Sequence, residues 1–118
     1  MSKEKQFIEW LGRVTEFCLS RAGKCFGGWT PEEVFMYLGK NAARGELFVV
    51  GDGDVEAVGI ANRTTKGLFI KQVIGTRKEC RVMFQQAMLK WPEVRRFFTY
   101  RRGQLREVSF DTMRRMSA

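Results

Sequence analysis

Leu47-Phe48-Val49-Val50-Gly51-Asp52-Gly53-Asp54-Val55-Glu56-Ala57-Val58-Gly59-Ile60-Ala61 is the stretch that decides the fold. Leu47–Val50 is short and apolar at every position, as a strand buried on both faces would be. Gly51-Asp52-Gly53-Asp54 is turn chemistry, because glycine reaches positive φ without a steric penalty. Val55–Ala61 reads as the returning strand of a hairpin. Thr64-Thr65-Lys66-Gly67 is a second turn, and Leu68–Ile74 a third strand. Strict alternation along it places Leu68, Ile70 and Ile74 on one face and Phe69 and Val73 on the other. The middle of the chain is therefore an antiparallel meander.

On the N-terminal side the period changes to that of helices. Over residues 4–22, Phe7, Trp10, Leu11, Val14, Phe17 and Cys18 recur at steps of three and four and form one apolar stripe. Gly27-Gly28 breaks it. Thr30-Pro31-Glu32-Glu33 is a helix start: an N-cap threonine, proline at the first helical position, and a glutamate that completes a capping box. Val34, Phe35, Leu38 and Ala42 give that helix its apolar face, and Gly45 stands where a left-handed residue ends it.

On the C-terminal side, residues 78–90 return to helical spacing, with Phe84, Ala87, Met88 and Trp91 in one stripe and Pro92 as the stop. Val94–Arg101 and Leu105–Phe110 read as strands joined by a turn at Arg102-Gly103-Gln104. The order α-α-β-β-β-α-β-β implies an α+β fold with a mixed, mostly antiparallel sheet flanked by helices. The crossing helix places the fourth strand parallel to the third. The length, 118 residues, suits one domain. It divides into an N-terminal helix (1–28), a helix-plus-sheet core (29–110) and a basic tail (111–118).

Composition excludes more than it selects. There is no histidine, so no Ser-His-Asp triad, Cys-His dyad or His-ligated zinc site can be built from this chain. Three cysteines, Cys18, Cys25 and Cys80, without a Cys-x-x-Cys pair, read as free thiols of a reducing, cytoplasmic setting, with no metal site. No run approaches the ~18 apolar residues of a membrane span, so no membrane partner is expected. The net charge of +8 is unevenly placed. Up to Asn62 there are seven basic and nine acidic residues; beyond it there are fourteen basic and four acidic. A second half at +10 points to an anionic partner, nucleic acid or another polyanion.

The element order, with the hydrophobic-Val-Gly ending of the strand at Ala57-Val58-Gly59 and the strand Gly67-Leu68-Phe69-Ile70-Lys71-Gln72-Val73, resembles the GNAT superfamily of acyl-CoA N-acyltransferases over roughly residues 29–101. The resemblance implies that Val73 lines an acyl-CoA cofactor. It also implies that Gly75, Thr76, Arg77, Lys78 and Arg81 receive the cofactor's pyrophosphate. The family's loop, Arg/Gln-x-x-Gly-x-Gly/Ala, falls on Arg77-Lys78-Glu79-Cys80-Arg81-Val82, where only Arg77 matches and Cys80 and Val82 replace glycines. The family's general-acid tyrosine has no counterpart on a late helix; Tyr100 falls in a strand. Independently of the family, a helix start with free amides beside Arg77, Lys78 and Arg81 is suited to an anion.

Two function classes follow. One is a GNAT-like N-acyltransferase, or a divergent member without activity. In the absence of histidine, amine deprotonation falls to Glu46 or Glu56, with Tyr100 as the remaining candidate acid. The other is a non-catalytic basic binding or assembly protein, of the kind found in phages and mobile elements, acting in an oligomer or larger assembly. Its nucleic-acid surface would be the ribbon Arg95-Arg96-Phe97-Phe98-Thr99-Tyr100-Arg101-Arg102 with Arg106, in which cations alternate with rings able to stack on bases. The competing reading of that ribbon sends Phe97 and Phe98 into two cores and leaves the arginines at the sheet edge.

Overall fold

The computed structural model describes residues 2–21, 26–51, 53–101, 103–109 and 111. Cys25, Asp52, Arg102, Phe110 and the basic tail from residue 112 lie outside them. The elements are α1 (Lys3–Arg21), α2 (Pro31–Ala43), β1 (Leu47–Val50), β2 (Ala57–Thr64), β3 (Gly67–Ile74), α3 (Arg77–Lys90), β4 (Phe97–Arg101) and β5 (Gln104–Val108). The fold is α+β, with the strands in one five-stranded sheet ordered β1-β2-β3-β4-β5. β3 and β4, joined through α3, are parallel; every other neighbouring pair is antiparallel.

Local chemistry sets the helix ends. Thr30 Oγ1 accepts the Glu33 N–H at 3.2 Å while Glu33 Oε1 accepts the Thr30 N–H at 2.9 Å, so the capping box is complete. At the other end of α2, Gly45 (φ 71°) donates to Ala42 O and Glu46 N–H reaches Asn41 O. These two bonds satisfy carbonyls that the helix leaves open, and the positive φ is what demands glycine there.

The sheet carries a different core on each face. α1 and α2 cover one face, where Leu11, Val14, Cys18, Val34 and Leu38 meet Val58, Ile60 and Ile74. α3 covers the other, where Ala87 and the half-buried Phe84, Met88 and Trp91 meet Ala61, Leu68 and Phe97. Phe7 does not join the α1 stripe inside; it is 44% exposed and leans on Trp10. Thr15 is buried instead, its hydroxyl satisfied by donating to Leu11 O at 2.8 Å.

Simple alternation fails along β3. Ile60 pairs with Gln72 but Ala61 pairs with Ile70, so Lys71 has no partner on β2 and forms a bulge. The extra residue reverses the side-chain parity. Leu68 and Ile70 therefore belong to the α3 core and Ile74 to the α1–α2 core. Val73 moves to the α3 side as the partner of Gly59. Two strands also start later than their composition implies. Glu56 N–H is spent on Val50 O, which lengthens the first turn, and Val94 N–H closes back on Trp91 O before β4 begins at Phe97.

Candidate functional site: an apolar cavity under the third helix

The parallel pairing of β3 with β4 is brief: Leu68 with Phe97, Phe69 with Phe98, Ile70 with Thr99. The Thr99 hydroxyl donates to Ile70 O at 3.3 Å and closes that contact. Beyond it β3 continues through the bulge to Ile74 while β4 runs on as one arm of the β4–β5 hairpin. A cavity of about 270 Å³ lies between this region and α3. Gly59, Ala61, Ile70, Val73 and Thr99 line its sheet side, and Cys80, Met83, Phe84 and Ala87 its helix side.

Small residues make the space. Ala61 and Ala87 present little side chain where larger residues would fill it. Gly59 is needed for close approach, since a β-carbon there would stand 2.8 Å from Met83 Sδ. The lining is almost wholly apolar, so an apolar arm of a ligand is what the cavity would favour. Burial pushes the Cys80 thiol above its ordinary pKa, and Glu79 adds to the effect. A thiol so placed behaves as a small hydrophobe.

α3 starts abruptly. Gly75 (φ 152°) turns the chain against Ala57, and Thr76 caps the helix with its hydroxyl 3.5 Å from Glu79 N–H. Cys80 N–H already donates to Thr76 O at 3.0 Å. The six positions aligned with the family's pyrophosphate loop, Arg77 to Val82, are thus helical from the first residue. The backbone cradle of that loop does not fit here, because two of its amides are taken by Thr76 and glycines are missing. What remains near that helix start is basic side chains outside the cavity lining: Arg77 and Lys78 are exposed, Arg81 is half-buried one turn on, and Lys71 stands exposed at the bulge.

The residues expected to move protons do not converge on this cavity, and none of the three lines it. Glu46 sits at the α2–β1 junction, next to Tyr37 and Asn41. Its Oε2 is buried with no hydrogen-bond partner among the described residues. Burial raises the Tyr37 pKa and the Glu46 charge adds to it, while a hydrogen bond with Asn41 opposes both. Glu56 is exposed at the foot of β2, its carbonyl beside Gly75. Tyr100 is 62% exposed on the sheet face opposite Phe97 and Thr99.

The Arg-aromatic ribbon is largely self-satisfied. Phe97 is fully buried against Phe84. Phe98 is 7% exposed, stacked on Phe69 with centroids 4.9 Å apart. Arg96 lies over the Phe98 ring at 5.1 Å and is ion-paired with Glu107 at 2.7 Å. Arg95 hydrogen-bonds Pro92 O and Val94 O. Arg101 ends β4 opposite Gln104, and Arg106, paired with Thr99 across the hairpin, is exposed.

Among the described residues no group of three or more His, Cys, Asp or Glu side chains could hold a metal ion, and no helix is long and apolar enough to cross a membrane. Comparisons with protein-family models, with curated proteins and with solved structures return no match for this chain. Geometry alone therefore defines the class: a small α+β domain with a mixed sheet and an apolar cavity covered by α3.

Sequence reasoning missed most of the lining. Gly59, Ala61, Met83 and Thr99 carry no chemical signature. The available signal was the pair of small residues two apart on one strand, Gly59 and Ala61, which mark a close approach by another element.

Proposed function

We propose that this chain is a divergent member of the GNAT-like fold that binds an acyl-CoA-type ligand without transferring its acyl group. The carrying observation is the apolar cavity beyond the last β3–β4 pair, Ile70 with Thr99, whose helix wall begins at Cys80, one turn after the basic start of α3. The acyl arm occupies the cavity and the phosphates meet Arg77, Lys78 and Arg81 through side chains in place of the missing backbone cradle. CoA, when bound, supplies an activated thioester. Glu46, Glu56 and Tyr100 do not line the cavity, so none of these three is positioned there to deprotonate an amine.

The test is thermal unfolding with acetyl-CoA and longer acyl-CoAs, beside a thiol-release assay with amine acceptors. A ligand at about a hundred times its Kd stabilises the fold by about 2.7 kcal/mol, which a melting curve resolves. No stabilisation at saturating ligand overturns the binding reading. Steady release of CoA thiol above the uncatalysed rate overturns the non-catalytic part.

The basic second half keeps a nucleic-acid reading in play on charge alone. Binding of that kind would weaken steeply between low and physiological salt.

A further inference from the structure

We infer that the cavity selects a medium-length straight acyl chain, of about eight carbons, over an acetyl group. The inference rests on the acyl-CoA reading above and concerns only the length of the arm. A cavity of about 270 Å³ is nearly twice the ~150 Å³ of an engineered apolar cavity that takes up one benzene ring, so it has room for a chain of roughly eight to ten carbons. An acetyl group would leave most of that volume to water, against the apolar side chains of Ile70, Phe84 and Ala87.

The space has a structural cause. Ala61 on β2 and Ala87 facing it from α3 are two positions that could each carry a larger apolar side chain and carry none, while Gly59, on the same side of β2 as Ala61, lets Met83 approach closely. Met83 is held in place above Gly59 by that close approach, and the bulge at Lys71 turns Val73 toward the same space. The lining has no charged side chain, so a chain bearing an ω-carboxylate is disfavoured against a plain alkyl chain.

The experiment is calorimetric titration of the whole chain with CoA, acetyl-CoA, butyryl-CoA, octanoyl-CoA and palmitoyl-CoA. Each methylene moved from water into the cavity tightens binding about fourfold. Octanoyl-CoA is therefore expected to bind at least about a hundredfold more tightly than acetyl-CoA, with the gain ending near eight to ten carbons. Ala61→Leu and, separately, Ala87→Leu are each expected to shorten the preferred chain by about three carbons. A cooperative thermal unfolding transition of each variant reports that it has folded. Equal affinity for acetyl-CoA and octanoyl-CoA, or continued gain to palmitoyl-CoA in both variants, overturns the inference while leaving CoA binding intact. Failure of every CoA species, including unacylated CoA, overturns the binding reading and the inference with it.

Discussion

Gly59 lies beneath Met83 so closely that a β-carbon at position 59 would stand 2.8 Å from the Met83 sulfur. The two residues fix how near α3 comes to β2, and hence the depth of the cavity beside them. Gly59→Ala is expected to cost about 1 kcal/mol, because the flexible thioether gives way at modest strain. Urea unfolding of Gly59→Ala, Met83→Ala and the double variant should give a coupling energy above about 0.5 kcal/mol. Simple additivity would mean that the contact does not set the spacing.

Gly75 is constrained more severely. Its φ of 152° lies where only glycine is comfortable, and a β-carbon would come within 2.6 Å of Ala57 Cβ, which cannot swing aside. Gly75→Ala is expected to lose about 2 kcal/mol or more, a larger loss than Gly59→Ala. Denaturation midpoints of the two variants measured side by side check the order.

Neighbouring aromatic residues of β4 should behave in opposite ways. Phe97 is fully buried, and Phe97→Ala should cost about 3–5 kcal/mol, enough to unfold a large fraction of a marginally stable domain. Tyr100, 62% exposed, should tolerate alanine within about 0.5 kcal/mol. A large stability loss at Tyr100 would mean that its face of the sheet is covered by something other than solvent.

The Arg96–Glu107 pair gives a pH signature. The guanidinium of Arg96 hydrogen-bonds the Glu107 carboxylate and holds its pKa below the usual glutamate value. A folded-state pKa that is depressed contributes stability at pH values above the unfolded one, and the contribution is lost as pH falls through the depressed value. Both side chains are exposed, so salt screens the effect. In an NMR titration, Arg96→Ala should return Glu107 toward the ordinary range. An unchanged Glu107 titration would remove the ion pair from the solution structure.

Arg77 and Lys78 are exposed on the first turn of α3, where positive charge opposes the helix dipole. Arg77→Ala and Lys78→Ala should therefore leave the melting temperature unchanged or slightly raised, while each weakens acyl-CoA binding several-fold. Calorimetry at two salt concentrations separates the charge contribution from that of the acyl arm.

Whatever depends on near neighbours was legible in the residues. The Thr30 capping box, Gly45 at the end of α2, Pro92 after α3 and the element order all rest on short-range chemistry, and the structure carries each of them. The Phe97 and Phe98 assignment to opposite faces also followed from alternation alone.

The bulge was not legible. Lys71 has nothing in its local sequence to mark it as unpaired; its place is set by where β2 and β3 must register to bury Ile74 on one side and Leu68 on the other. That register follows from packing between residues far apart in the chain, and a single extra residue reverses every face beyond it. The cavity has the same origin. It exists because Ala61 and Ala87, small residues from different elements, meet at one point under α3. The separation of Glu46, Glu56 and Tyr100 from that point was likewise fixed by the tertiary structure, because residue type gives a side chain its chemistry and only packing gives it a neighbour.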